Sequence, residues 1–590
     1  MLSKRYIKLI LPLRLEWEPC YYLSGNAGIG QRVIVKFAGR RTVGVVSAVD
    51  VTPDIDPSRI QPVLSSETGL EPISAKEIEF WRFIADYYLC TIGEVYKAAY
   101  PNQKTASEEV SVQRIQRKQA LETRAEDIWR KRIARLQARL EKKNADLGRN
   151  HNASVLARLE AQRNDIIRTL QEAEARLAAL SHGLEIENED YSMLLARVPD
   201  LKPETAFRQT LQSGRPVLLK SADRNNSYVQ TAAQTLRGGR NVCILVNETA
   251  LATSLCDRLQ ATFGELLLVH HSKMTAGARR SITDAIRSGR PYILIGTRSA
   301  IFLPHRDLGL IIVENEESSF YKQTDTAPRY NARDCAVQLS RIHGCSIILG
   351  SVSPSLESIL NARNGRYVLF DRNPDGQETQ PGCGFSLIDI SAERKKNGME
   401  GPLSRRLQDA IRRSNRTALI RGYEKPEELE GVDADILTIP QAAKTDMSVY
   451  GLTAILNADA LFNPASFRSD EHAFQYLERL RSICPRLIVQ TRQAAHQVFS
   501  LKSAEPLLEE RSRFNLPPYT RMVEIRTSKA TELGQALSAA GFSPMVMPDS
   551  VRVCIVRDKH LAEEKKKLRK TVEAFRSTFK TDVILDVDPL

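Results

Sequence analysis

Val242-Cys243-Ile244-Leu245-Val246 and Leu310-Ile311-Ile312-Val313 are unbroken runs of apolar, largely β-branched residues. A strand that is apolar on both faces belongs in a parallel sheet covered by helices on each side. Val217-Leu218-Leu219, Leu266-Leu267-Leu268-Val269, Tyr292-Ile293-Leu294-Ile295 and Ile347-Ile348-Leu349 repeat the pattern, with helical spacing between them. Residues 191–375 are therefore predicted to form an α/β lobe whose ligands bind beyond the carboxyl ends of its strands. Beyond a predicted linker at 374–384, residues 376–504 hold shorter candidate strands at Ala418-Leu419-Ile420, Asp435-Ile436-Leu437-Thr438, Leu452-Thr453-Ala454-Ile455-Leu456 and Leu487-Ile488-Val489-Gln490. Residues 505–590 form a last small α/β unit, with strands near 522–526, 551–556 and 582–587.

Upstream, residues 1–105 begin β-rich. Arg32 to Phe37 and Arg41 to Val46 flank Ala38-Gly39-Arg40, a turn of hairpin length. A helix is expected from Ser74 to Tyr88, with Ser74 and Glu77 spaced as a capping box. Residues 106–190 lack proline and are rich in Arg, Glu, Ala, Leu and Gln. Leu136, Leu140 and Leu147, then Leu159, Ile166, Leu170, Leu177 and Leu180, recur at helical spacing around Gly148 to Asn152. That pattern predicts two helices folded back as a coiled-coil hairpin, its apolar stripe forming its own seam.

Composition narrows the function classes. The 590 residues are 42% hydrophobic and 26% charged, which excludes a disordered or fibrous chain. No apolar run reaches membrane-spanning length, and Met1 to Pro12 is too short and broken for a secretory signal. The net charge of +13 is concentrated: 114–143 carries eleven Lys/Arg against four Asp/Glu, and 557–580 nine against four. Each run is either a solvated helical face or a surface for a polyanion. The nine cysteines form no C-x-x-C pair, so a cysteine-rich zinc knuckle is not expected. Their scatter through apolar runs predicts reduced thiols and a cytoplasmic location.

Seven segments, taken in order, resemble the PriA family of primosomal replication-restart helicases. They are Ala85-Asp86-Tyr87-Tyr88-Leu89-Cys90-Thr91-Ile92-Gly93-Glu94-Val95, Gly296-Thr297-Arg298-Ser299-Ala300-Ile301-Phe302, Ser319-Phe320-Tyr321-Lys322-Gln323, Arg329-Tyr330-Asn331-Ala332-Arg333-Asp334, Gly350-Ser351-Val352-Ser353-Pro354-Ser355, Leu516-Pro517-Pro518-Tyr519-Thr520-Arg521 and Asp586-Val587-Asp588-Pro589. The resemblance implies an α/β multidomain fold with a two-lobed helicase-like core. The lobes would be 191–375 and 376–504, with a β-rich 3′-end DNA-binding domain at 1–105, the hairpin at 106–190 and a C-terminal domain at 505–590. It also implies DNA contact by Arg298 and by the aromatic-rich loop residues Phe320, Tyr321, Lys322, Arg329, Tyr330 and Arg333. Their chemistry agrees: bases stack on aromatic faces while Lys and Arg meet phosphates. Without the resemblance, the same residues read as a buried aromatic cluster fringed by arginines.

The family's ATP site departs from its pattern here. A phosphate cradle needs glycines whose backbone N–H groups reach the phosphates, and a lysine. The slot after Pro216 to Lys220 reads Ser221-Ala222-Asp223-Arg224-Asn225-Asn226-Ser227-Tyr228, with neither. Arg224 remains as one charge. The family's D-E-x-H falls on Glu314-Asn315-Glu316-Glu317, leaving Glu314 as a remnant Mg²⁺ ligand and an amide where the base belongs. For Glu314 to Glu317 taken alone, a solvated acidic loop is the other reading. The closing arginine motif has no glycines, leaving Arg479 or Arg481 as a remnant finger. The paired-cysteine zinc insertion and the winged-helix domain are not recognisable. Tyr21, in Cys20-Tyr21-Tyr22-Leu23, replaces an acidic residue that lines the family's 3′-end pocket.

The expectation is a restart protein that binds branched or single-stranded DNA and primosome or replisome proteins. It has no catalytic residue and no zinc; ATP and Mg²⁺ are implied by resemblance only. Two other classes stay open: an active ATP-dependent 3′-to-5′ helicase with an atypical site, and a scaffold without a nucleic-acid role. An eroded paralogue is a further possibility.

Overall fold

The computed structural model describes residues 5–101, 191–372 and 384–590 apart from 24, 26, 68–69, 248–253, 444 and 464–465, together with 130–147 and parts of 159–174. The rest of the expected hairpin (106–129, 148–158 and 175–190) and the expected linker up to 383 lie outside the described residues. The chain divides into two compact units.

The first unit contains residues 1–11, 18–73 and 102–192. Strands β1 (Arg5–Ile10), β2 (Cys20–Leu23), β3 (Arg32–Phe37), β4 (Arg40–Val49) and β5 (Ser65–Ser66) form an antiparallel sheet in the order β2-β1-β4-β3-β5. The β3–β4 hairpin turns on Ala38 and Gly39, both at positive φ (45° and 80°), which matches the twist of paired strands. Ile7, Leu9, Val33, Val35 and Val45 are fully buried. Residues 130–147 are helical, and Ile133 and Leu136 bury together with Leu170.

The second unit contains residues 12–17, 74–101 and 193–590. Two helices open it, Ala75–Tyr87 and Ile92–Ala99. Each starts at a complete capping box, Ser74 with Glu77 and Thr91 with Glu94. They pack through Trp81 stacked on Tyr96, ring centroids 5.3 Å apart.

A seven-stranded, all-parallel sheet follows: β6 (Val217–Lys220), β7 (Asn241–Leu245), β8 (Leu267–His270), β9 (Ile293–Gly296), β10 (Leu308–Glu314), β11 (Ser346–Ser351) and β12 (Val368–Asp371). Their order is β12-β6-β11-β10-β7-β9-β8. Val242, Ile244, Ile293, Ile295, Leu310 and Ile312 on one face pack with Tyr228, Val229, Ala232 and Leu236 of the helix Asn225–Arg237. The six predicted runs are all strands here. The seventh, β12, went unpredicted; unlike the other edge strand, β8, it has no fully buried residue.

The second lobe is a five-stranded parallel sheet. It contains β13 (Gly384–Asp389), β16 (Thr417–Arg421), β17 (Asp435–Thr438), β18 (Leu452–Ile455) and β19 (Arg486–Thr491), with a two-stranded ribbon of β14 (Met399–Glu400) and β15 (Leu403–Ser404). Its order is β13-β19-β18-β16-β17. Gly384, placed by the sequence reading at the end of a linker, begins the edge strand β13. The C-terminal domain is an antiparallel sheet of β20 (Thr520–Arg526), β21 (Met545–Val546), β22 (Ser550–Val556) and β23 (Ile584–Val587), with helices Ala530–Ala539 and Leu561–Phe579. The basic run at 557–580 is largely the last of these helices.

Candidate nucleic-acid interface

The loop after β6 is where a nucleotide-binding fold of this type would hold phosphates. Arg224, at the foot of the helix Asn225–Arg237, turns inward instead. Its guanidinium grips Glu314 at the end of β10 in a bidentate pair (Nε to Oε2 3.1 Å, Nη2 to Oε1 2.5 Å). It also donates to Asn315 Oδ1 at 3.0 Å and to the carbonyl of Ser221. Tyr228 donates its hydroxyl to the same Glu314 carboxylate at 2.5 Å. Arg224 and Tyr228 are buried. Burial works against the Arg224 charge, but Glu314 more than offsets it and keeps the guanidinium protonated. Asn315 sits at φ 51°, in the left-handed region an asparagine tolerates. Gly350 makes the arrangement possible, since a Cβ there would fall 1.7 Å from the Tyr228 hydroxyl. These residues do not fit a triphosphate with Mg²⁺. The loop offers no lysine or glycine, and the carboxylate that would take the metal is already held by Arg224 and Tyr228.

Glu316 and Glu317 are equally committed, so the acidic tetrad is not a solvated loop. Glu316 accepts from the backbone N–H of Ser355 (2.7 Å), its hydroxyl (2.9 Å) and Arg333 (3.2 Å). Glu317 accepts from Ser351 at 2.7 Å. Burial, with Glu316 alongside, pushes the Glu317 carboxyl up to about 7.

The aromatic-rich loop divides sharply by exposure. Phe320 is 49% exposed, while Tyr321, Lys322, Tyr330 and Arg333 are buried. Tyr321 donates to the carbonyls of Leu245 (3.0 Å) and Glu314 (2.5 Å), tying β7 to the acidic turn. Lys322 pairs with Asp586 at 2.7 Å and donates to the carbonyls of Arg329 (2.7 Å) and Val587 (2.6 Å). Burial pulls its amine below the usual lysine range, against Asp586. Arg333 bonds Asp334, Glu316 and Ser355. Tyr330 packs edge-on against Phe302 at 5.2 Å. These four, expected as contacts, instead hold the loop in shape: Tyr321, Lys322 and Arg333 spend their polar groups inside the protein, and the Tyr330 ring is buried against Phe302. Arg298 and Arg329 are half-buried, and both bond loop carbonyls: Arg298 that of Lys322 (3.1 Å), Arg329 those of Thr324 and Asp325 (3.0 Å each).

Recognised segments from both ends of the chain meet around this loop. Tyr88 donates to the Asn331 carbonyl at 3.3 Å, and Lys322 lies 5.6 Å from the Tyr88 ring. Arg521 stacks 3.7 Å from the Tyr87 ring and pairs with Asp588 at 2.8 Å.

Beside the loop, a cavity of about 770 Å³ opens beyond the carboxyl ends of β7, β8 and β9. Val246 and Asn247 follow β7, Ser272 follows β8, and Thr297, Arg298 and Ser299 follow β9; Phe320, Gln323, Pro328 and Tyr330 form the loop wall. Arg14 and Lys97 complete the rim and are exposed. Sequence reasoning missed both, because each stands alone in its segment and joins the site only through the fold.

The remaining expected site residues lie elsewhere. Arg479 donates to the Ala443 carbonyl (2.9 Å) and Arg481 pairs with Glu478 (2.9 Å), so neither is a free finger. Tyr21 in the first unit is buried and donates to the Lys36 carbonyl at 3.0 Å.

The chain aligns with a solved structure of RecG bound to a three-way DNA junction over 55% of this chain and 46% of that one, at 14% identity and a TM-score of 0.32. The replication restart protein PriA of Haemophilus influenzae is 29% identical over 441 residues, 71% of this chain and 58% of that protein. That of Chlamydia pneumoniae is 26% identical over 390 residues, 62% and 50%. The chain thus spans about half the length of these curated relatives. Residues 8–101 match the family of the PriA 3′ DNA-binding domain (3′BD). With that match at one end and the alignments running well beyond it, the chain is similar to PriA restart proteins over much of its length.

Proposed function

We propose that this chain binds single-stranded or branched DNA in replication restart, in the cytoplasm, alongside primosome or replisome proteins, and that it does so without hydrolysing ATP. The carrying observation is the buried Arg224–Glu314–Tyr228 cluster, which occupies the place of a phosphate cradle and its metal ligand. Phosphoryl transfer depends almost wholly on positioning and charge stabilisation, so losing cradle, base and finger together leaves little to build on. DNA binding is supported by the exposed Phe320, the cationic cavity rim and the basic helix Leu561–Phe579. In this reading residues 1–105 engage DNA ends, 106–190 form a charged hairpin, 191–375 and 376–504 are the two lobes, and 505–590 add a basic surface.

The test pairs two titrations of the purified chain. Calorimetry with ATP and Mg²⁺ is expected to give no heat of binding. Fork DNA is expected to bind and to weaken steeply between low and high salt, as counterion release requires. A stoichiometric nucleotide isotherm would overturn the first half; salt-independent or absent fork binding would overturn the second.

A further inference from the structure

Helix 130–147 of the first unit has two chemically distinct sides. Ile133 and Leu136 are buried together with Leu170, so the apolar side is spent on a seam within the unit. The same stretch holds seven Lys/Arg against two Asp/Glu. Four of the seven, Lys131, Arg135, Arg139 and Lys142, are spaced by four, four and three residues and are exposed or nearly so along one line. At 3.6 residues per turn they fall within an arc of about 80°, on the side away from Ile133 and Leu136. None of the four has an ion pair among the described residues.

The geometry of this stripe narrows its partner. Each four-residue step rises about 6 Å, and the four cations together span about 16 Å. A straight row of unpaired cations suits a row of anions rather than one bound ion, and each strand of a duplex presents a phosphate about every 3.4 Å of axis. Ala134, Ala138 and Ala145 are exposed beside the cations, and their small side chains let the helix approach a backbone closely. No aromatic residue lies within 130–147, so the helix offers nothing on which an unpaired base could stack. That favours the backbone of paired DNA over a single strand. It also argues against a bilayer, because an interfacial helix buries an apolar face in lipid and this one has buried Ile133 and Leu136 in protein.

We propose that helix 130–147 is a docking rod for the phosphate backbone of double-stranded DNA, held through Lys131, Arg135, Arg139 and Lys142 without regard to sequence. The rod rests on the DNA-binding reading above and assigns a duplex arm of a branched substrate to this helix. Contacts of this kind fix where a duplex lies and carry no base information.

The experiment uses the full chain, a fluorescent blunt duplex of mixed sequence, a single strand of the same length and a fork. The combined variant K131Q/R135Q/R139Q/K142Q removes the stripe's charge while keeping good helix formers. Its affinity for the duplex is expected to fall about ten-fold or more, and its slope of log affinity against log salt to lessen by about one per residue replaced. Its affinity for the single strand is expected to stay within about two-fold of the parent, since the helix has no stacking face. A control, R394Q/K395Q/K396Q/R406Q, removes the same charge from exposed positions of the second lobe and is expected to leave duplex affinity within about two-fold. The single variants Arg135→Gln and Arg139→Gln, with helix content checked by circular dichroism, should each lower the slope by about one. Charge-retaining K131R/K142R should bind as the parent does. If the combined variant holds the duplex as tightly as the parent, or the control loses as much, the rod is overturned, while fork binding by the parent keeps the DNA-binding reading. An equal loss for the single strand would overturn the assignment to paired DNA. Loss of binding to anionic lipid vesicles, with duplex binding intact, would overturn it in favour of a membrane. If the parent binds none of the three DNAs, both the rod and the DNA-binding reading fall.

Discussion

A lysine in a phosphate loop must stay free to meet its ligand; Arg224 is already bound to Glu314 and Asn315 inside the protein. Breaking such a buried pair leaves a stranded charge, so Arg224→Ala should lower stability by about 3–5 kcal/mol. It should not create nucleotide binding, because no glycine or lysine would be gained. Denaturant unfolding beside a nucleotide titration reads both outcomes. Glu317 gives a pH signature. Its folded value of about 7 lies above the ordinary carboxylate range, so the fold holds its proton more tightly than the unfolded chain does. Its contribution is complete below the ordinary range and is lost as pH rises through about 7. Between pH 5 and 8 the parent's melting temperature should therefore fall, and Glu317→Gln should flatten that fall. Equal slopes in the two proteins would contradict the assignment. None of this was legible in the sequence. Arg224 could be read as a leftover charge, but not as one turned inward onto Glu314.

Among the elements, the strands of the first lobe were legible because burial on both faces leaves no polar alternation, as at Val242 to Leu245 and Leu310 to Val313. The edge strands Val368–Asp371 and Gly384–Asp389 lacked that signal, since their residues are mostly half-buried or exposed. The aromatic-rich loop was legible as a unit but not residue by residue. Lys322 reads as a phosphate ligand until its partner Asp586, near the other end of the chain, is seen beside it. The contact between β11 and the helix Asn225–Arg237 supplies a prediction at this scale. Gly350→Ala would drive a methyl group into Tyr228, displacing it from Glu314, and should cost about 1–3 kcal/mol as an overpacked site. In a Tyr228→Phe background, which removes the nearest clashing atom, the same substitution should cost less. A double-mutant cycle measures the difference, and additive costs would refute the packing argument.

In the second unit as a whole, the two lobes are fastened by buried charge. Arg468 pairs with Glu357 at 2.8 Å and Glu471 at 3.3 Å, Glu471 accepts from the Leu356 backbone at 3.1 Å, and Arg511 lies 3.6 Å from Glu471. Leu356 itself sits in the hydrophobic core of the second lobe. A motor opens and closes its lobes with each nucleotide, and a buried ionic clasp opposes that motion. Fluorescence transfer between dyes on the two lobes should therefore be unchanged by ATP and Mg²⁺; a nucleotide-dependent shift would show a working hinge. The two-lobed body was predictable from strand patterns, whereas the clasp was not, because its members come from separate lobes. The central claim, a DNA grip without an ATP engine, is tested most directly by phosphate release from ATP with Mg²⁺ and single-stranded DNA, in a sample shown to retain fork DNA. The account predicts release indistinguishable from a protein-free control; turnover at about 1 s⁻¹ or faster, the ordinary enzymatic range, would contradict it.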